Sequence, residues 1–224
     1  MGEQVMLTAS DGHKLGAYAA RPEGEPIAGL VVIQEIFGVN AHIRSVADGF
    51  AHDGFLAVAP AMFDRIQPGL ELGYEAADRE KAMSLAPQIN MDTSVLDAGA
   101  ALAYAAKATG KKAGIVGYCY GGTVAWLAAT RLHPAAAVGY YGGRIPGYAA
   151  ETPSAPVMLH FGNDDPHIPA SEVDKIKAAH PEVEIYWYEN AGHAFNRDIG
   201  PSYNPEAAKL ARRRTLDFLR MHLL

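Results

Sequence analysis

Cysteine is nearly absent from this chain of 224 residues: there is one, Cys119. A single thiol closes no internal disulfide, so no disulfide framework is expected. Nor is there a run of about 18 apolar residues, the length a membrane span needs. The opening "MGEQVMLTASDGHK" carries no apolar segment of the kind a secretion signal has. Basic residues are in the minority, 19 Lys and Arg against 25 Asp and Glu, for a formal net charge of −6. The only dense basic run is "RRR" at 212–214. That balance argues against nucleic acid as the main partner. No linker rich in Pro, Gly or Ser, no low-complexity tract and no internal repeat divides the chain. No His, Cys and Asp cluster has zinc-ligand spacing, so neither a metal nor another cofactor is expected. These absences leave a cytoplasmic globular protein, one domain over 1–224, with no membrane or nucleic-acid partner.

What is present is an ordinary core composition, 49% hydrophobic and 20% charged, in a chain long enough to bury a large core. "VMLTASDGHKLGAYAARP" reads as two short strands around an Asp-Gly turn. Six apolar runs follow, at 30–39, 55–63, 112–119, 135–141, 155–162 and 183–189. Most are continuous rather than alternating, the pattern of strands buried on both faces of a parallel sheet. Helical periodicity lies between and after them, at 41–53, about 75–86, 92–108, 121–132, 170–180 and 205–223. Eight strands alternating with helices predict a doubly wound α/β fold, with helices on both faces of a mostly parallel sheet. The stretch 64–91 is the least regular and predicts an excursion over the strand ends.

The lone cysteine sits in "GYCYGG", residues 117–122, between a strand and a helix. Gly117 and Gly121 remove the Cβ atoms that so sharp a turn would crowd. Gly-x-Cys-x-Gly has the spacing of a nucleophile elbow with Cys in place of Ser. The following helix aims its N–H groups at the thiol, which favours thiolate. Two other cysteine chemistries fail on inspection: a phosphatase loop needs arginine where Ala125 stands, and a thioredoxin motif needs cysteine where Gly122 stands. A lone cysteine is more often a buried structural residue, but the strand, the helix and three flanking glycines favour a reactive role here.

A cysteine nucleophile needs a base, and the base an orienting acid. Among the downstream histidines, His133 and His180 each precede a proline at a helix end and read as caps or solvated residues. His160 lies inside an apolar strand and His222 in the last helix. His193, in the glycine-bearing loop "YENAGHAFNR" after the last strand, is the candidate base. For the acid, "FGNDDPHIP" offers Asp164 and Asp165, and the pattern alone does not separate them. One of the pair is expected to hold the tight turn, with His167 a solvated turn residue.

These motifs, "QEIFGVN" at 34–40, "GYCYGG", "GNDDPHIPA" at 162–170 and "AGHAFNR" at 191–197, with weaker support from "DREKAMSL" at 78–85, resemble the dienelactone hydrolases. They run in order along nearly the whole chain. The resemblance implies an α/β-hydrolase fold and hydrolysis of a lactone or small ester without a cofactor. It makes Cys119 the nucleophile, His193 the base and Asp165 the acid, which in that family lies three residues before Val/Ile-Pro. Glu35 takes the family's second carboxylate, which contacts the thiol at rest. The N–H groups of Ile36 and Tyr120 would form the oxyanion hole. Arg79 and Arg197 match positions that hold a substrate carboxylate, with Phe37 and Tyr141 also expected at the substrate. The partner would be an anionic small molecule, bound by a monomer or weak homo-oligomer. Two departures bear on substrate choice: the residue after the histidine is often serine and is Ala194 here, and positions often aromatic are Met83 and Ala86. The alternatives are a general carboxylesterase or thioesterase with the same triad, and a binding protein with an inert thiol.

Overall fold

In the computed structural model, residues 2–224 are described. Eight strands form one sheet: β1 (Glu3–Thr8), β2 (Lys14–Ala20), β3 (Gly29–Ile33), β4 (Leu56–Pro60), β5 (Ala113–Tyr118), β6 (Ala137–Tyr140), β7 (Val157–Gly162) and β8 (Glu184–Tyr188). Their order across the sheet is β1-β2-β4-β3-β5-β6-β7-β8. β1 and β2 pair antiparallel around the Asp-Gly turn, and β2 runs antiparallel to β4. Every other pairing is parallel. Residues of β3, β4, β5, β6 and β7 are buried without exception, which is why those runs are continuously apolar.

Six α-helices flank the sheet: α1 (Ala41–His52), α2 (Ala76–Leu85), α3 (Met91–Thr109), α4 (Tyr120–Arg131), α5 (Ala170–Ala179) and, after the last strand, α6 (Pro205–Leu223). Asparagine side chains cap three of them, Asn40 on α1, Asn90 on α3 and Asn204 on α6, satisfying N–H groups that no helical carbonyl reaches. α1 and α6 cover one face, tied by Arg212, which bonds Asp53 at 2.6 Å and lies over the Phe50 ring. α3 and α4 pack together over the other face.

Register fixes where the chemistry lies. Ile33 pairs with Gly117, Gly117 with Gly139 and Tyr140 with His160, so the carboxyl ends of the parallel strands finish level. The segments that leave them, 34–40, 119–122, 141–144, 163–168 and 189–197, therefore converge above one edge, where open α/β sheets bind ligands. The apolar run at 30–39 is a strand only as far as Ile33. Gln34 then turns inward, its amide donating to Glu35 O and accepting from Met62 N–H.

Candidate active site

Cys119 occupies the turn between β5 and α4 with φ 56° and ψ −114°, a backbone conformation that an L-residue holds only under constraint. The constraint is close approach. A Cβ on Gly117 would collide with Gly121 O, and one on Gly121 would stand 2.5 Å from Ile33 O. The turn is thus closed around two missing side chains, and α4 starts at the residue after the thiol.

His193 and Asp165 reach this thiol from their own loops. His193 Nε2 lies 3.2 Å from Cys119 Sγ, and its Nδ1 lies 2.7 Å from Asp165 Oδ2. Asp165 is buried, and its other oxygen accepts the His167 N–H at 2.9 Å. One aspartate therefore both holds the tight turn and reaches the imidazole, while the Asp164 side chain is exposed. Burial works against a charge on His193, but the hydrogen bonds to Asp165 and Cys119 overcome it and raise the imidazole to about 10. The imidazole is thus held protonated between the two. The histidine loop is itself anchored: Asp198 meets the buried His42 of α1 at 2.9 Å, and Asn204 bonds Asn190 O.

Glu35 is not placed as the resemblance implies. The partner of the thiol here is His193. Glu35, buried, sits with its Oε2 3.6 Å from Arg197 Nη1 and makes no hydrogen bond through that oxygen. The reason is geometric: Arg197 is buried in the same layer, its guanidinium lying 4.2 Å over the Tyr74 ring and donating to Ile199 O.

Above the thiol opens a cleft of about 550 Å³ lined by Glu35, Ile36, Phe37, Arg79, Cys119, Tyr120, His193 and Arg197, with Met83 and Ala86 on its wall. Ile36 and Tyr120, whose N–H groups are the expected oxyanion hole, both line this cleft. Arg79 is held by its own Nε bond to Tyr74 O. Tyr141, expected at the substrate, is instead fully buried behind His193, its ring 5.2 Å from the imidazole and its hydroxyl without a partner. His167 lies on the cleft wall rather than only at a turn. His180, expected at a solvated helix end, is buried and bonds Ala149 O at 2.7 Å. His160 behaves as a core residue, its ring nitrogens on Tyr188 and Thr215 and its basicity lowered by burial to about 3.

Sequence reasoning missed Tyr74, which carries Arg197, and Arg144, which also lines the cleft. Tyr74 hides in the irregular excursion, which returns to the site because Leu72 N–H bonds Phe37 O and Asn40 bonds Leu72 O. A wider groove of about 700 Å³ between β8 and α6 contains neither a histidine nor the thiol.

A strand–turn–helix thiol over the carboxyl edge of a mostly parallel eight-stranded sheet, with an acid and a histidine from later loops, is the α/β-hydrolase arrangement. The comparisons narrow that class. The profile of the Dienelactone hydrolase family matches residues 15–223. Carboxymethylenebutenolidase of Pseudomonas putida is 36% identical over 225 residues, covering 97% of this chain and 95% of its own. Carboxymethylenebutenolidase 1 of Cupriavidus pinatubonensis is 30% identical over 230 residues, covering 99% of this chain and 97% of its own. Among solved structures, a Klebsiella pneumoniae protein provisionally assigned as a dienelactone hydrolase superposes with TM-score 0.83 at 29% identity, covering 98% of this chain and 99% of its own. The chain belongs to the dienelactone hydrolase family.

Proposed function

We propose that the chain is a carboxylic ester hydrolase that opens lactones or cleaves small esters through Cys119, His193 and Asp165. The observation that carries this reading is the continuous relay of 3.2 Å and 2.7 Å from thiol to imidazole to carboxylate at the floor of the cleft. The Cys119 thiolate attacks the carbonyl carbon, forming a C–S bond while the carbonyl electrons move onto oxygen. The Ile36 and Tyr120 N–H groups receive that oxyanion; one such donor contributes about 3 kcal/mol in other enzymes. Collapse breaks the C–O bond, and the leaving alkoxide or enolate takes the proton from His193. Water, giving a proton to His193, then attacks the thioester, releasing the carboxylic acid product and returning the thiolate–imidazolium pair.

The substrate is read as an anionic small molecule. Arginine's planar fork matches a carboxylate with two parallel hydrogen bonds, and Arg79 and Arg197 stand on the cleft wall. A carboxylate arriving at Arg197 competes with Glu35 for the same guanidinium. Met83 and Ala86 on the wall favour a second reading, a broader carboxylesterase, because they leave room where the family often has aromatic rings.

The test is turnover of a panel of lactones and p-nitrophenyl esters, with and without a carboxylate, by the wild type and Cys119→Ala. Cys119→Ala is expected to retain under a few per cent of activity with an unchanged melting curve. Retained activity in a folded variant sinks the thiol mechanism, and neutral esters turned over as well as anionic lactones move the assignment to the broader esterase.

A further inference from the structure

The cleft has a second cationic end that the two arginines above do not explain. Arg144 lines it, with Gly143 and Thr123 beside it. Its backbone is pinned: Arg144 N–H bonds Thr123 Oγ1 at 3.3 Å, Arg144 O accepts from Gly147 N–H, and the next residue, Ile145, is fully buried. The guanidinium enters no ion pair among the described residues, whereas Arg197 at the other end is already engaged by Glu35.

Topology separates the two ends. Arg144 follows β6, on one side of the strand that delivers Cys119. Phe37 follows β3 on the other side, and Tyr74 packs on Phe37 at 4.8 Å and carries Arg197 above it. α2 and the turn after it bridge the ends: Arg79 is held at Tyr74, while Ile89 borders Tyr120 and the start of α3, where Tyr120 bonds Ser94 at 2.7 Å. From Arg79 to Ala86 alone, a helix advances about 10 Å. The thiol thus stands between two cationic poles in a cleft whose only lining carboxylate among the described residues is Glu35, within a chain of net charge −6. That concentration runs against the overall balance, and an anion bound at each pole would relieve it.

We propose that Arg144 is a specificity-determining residue that binds a second anionic group, so that the preferred substrate is a lactone or ester with one carboxylate on each side of the scissile carbonyl. This rests on the hydrolase reading above. The test uses four esters: p-nitrophenyl acetate (neutral), mono-p-nitrophenyl glutarate (anionic acyl group), 4-acetoxybenzoate (anionic leaving group) and the 4-carboxyphenyl hemiester of glutarate (both). The wild type is expected to prefer the dianion. Arg144→Ala should lower the ratio of kcat/KM for dianion over neutral ester by about tenfold to a hundredfold, the share of one charge-assisted contact, and Arg144→Lys should restore much of it. Arg144→Ala should also lower the ratio for one monoanion and Arg79→Ala for the other. A ratio unchanged within twofold in Arg144→Ala, an equal fall on all four esters, or a wild type without preference for the dianion overturns the assignment of Arg144 while leaving the hydrolase intact. No turnover of any ester overturns both.

Discussion

Arg197 is the residue whose loss separates a buried charge pair from a surface one. It and Glu35 stand 3.6 Å apart with side chains 6% and 3% exposed. At the effective dielectric suited to proteins, two unit charges at that distance attract by about 5 kcal/mol. An exposed pair would contribute only about 0–1 kcal/mol, but burial changes what deletion leaves behind. Glu35 Oε2 has no hydrogen bond, so in Arg197→Ala the carboxylate keeps its desolvation and loses its counter-charge. Removing one partner of a buried pair costs about 3–5 kcal/mol, to which the lost contact over Tyr74 adds about 1 kcal/mol. Neutralising both should be milder, so Arg197→Ala/Glu35→Gln is expected to be more stable than Arg197→Ala alone. The assay is urea unfolding at pH 7 of the wild type, both single variants and the double, with the denaturant slopes compared to establish a common unfolded state. A loss under about 1 kcal/mol in Arg197→Ala, or single-variant losses that simply add in the double, would refute the claim that the pair acts as a buried unit.

That pair also marks where the sequence stops being legible. The sheet and helices were readable because their signals are local: continuous apolar runs for strands covered on both faces, period-3.6 patterns for the helices. The cysteine turn was readable too, since only glycine at 117 and 121 admits the crossing of β5 and α4. Asp165 was not separable from Asp164 by pattern, because either could hold the turn; the structure has Asp165 holding the turn and reaching His193, since its two oxygens point two ways. Glu35 and Arg197 are 162 positions apart, and no periodicity links them. Their meeting depends on Tyr74, in an excursion whose course is set by single hydrogen bonds such as Leu72 to Phe37. Tyr141 illustrates the opposite failure. It leaves a strand at the right edge, but a φ of 40° turns its ring behind His193 instead of into the cleft. His180 is buried because Ala149 O, from another loop, supplies a partner that the local pattern does not reveal.

Asp165→Asn is expected to lower kcat/KM by on the order of 10³, because an amide holds the imidazole in the wrong tautomer, while Asp164→Asn stays within a few-fold; steady-state turnover of one ester on both variants checks this, and equal losses would contradict the relay. The His193 proton is held up to about 10 against an ordinary 6.5, so the stability it lends is fully present below pH 6.5 and is lost as pH climbs toward 10. The alkaline limb of the kcat/KM profile should accordingly fall near pH 10, and a limb near 6.5–7 would show that the imidazolium is not held. Gly121→Ala tests the turn itself. Its Cβ would stand 2.5 Å from Ile33 O and 2.6 Å from Gln34 O, both backbone atoms that cannot rotate away, and overpacking of this kind costs about 1–3 kcal/mol or more. The relief available is to push α4 away from β3, and that shift displaces the Tyr120 N–H from the Ile36 N–H with which it would share an oxyanion. Stability and turnover should therefore fall together, whereas Gly147→Ala, with no atom within 4 Å of its added carbon, should change stability by under about 0.5 kcal/mol. Paired urea melts and ester turnover decide it: a Gly121→Ala protein that melts and turns over like the wild type would mean that glycine is not what closes the turn around Cys119.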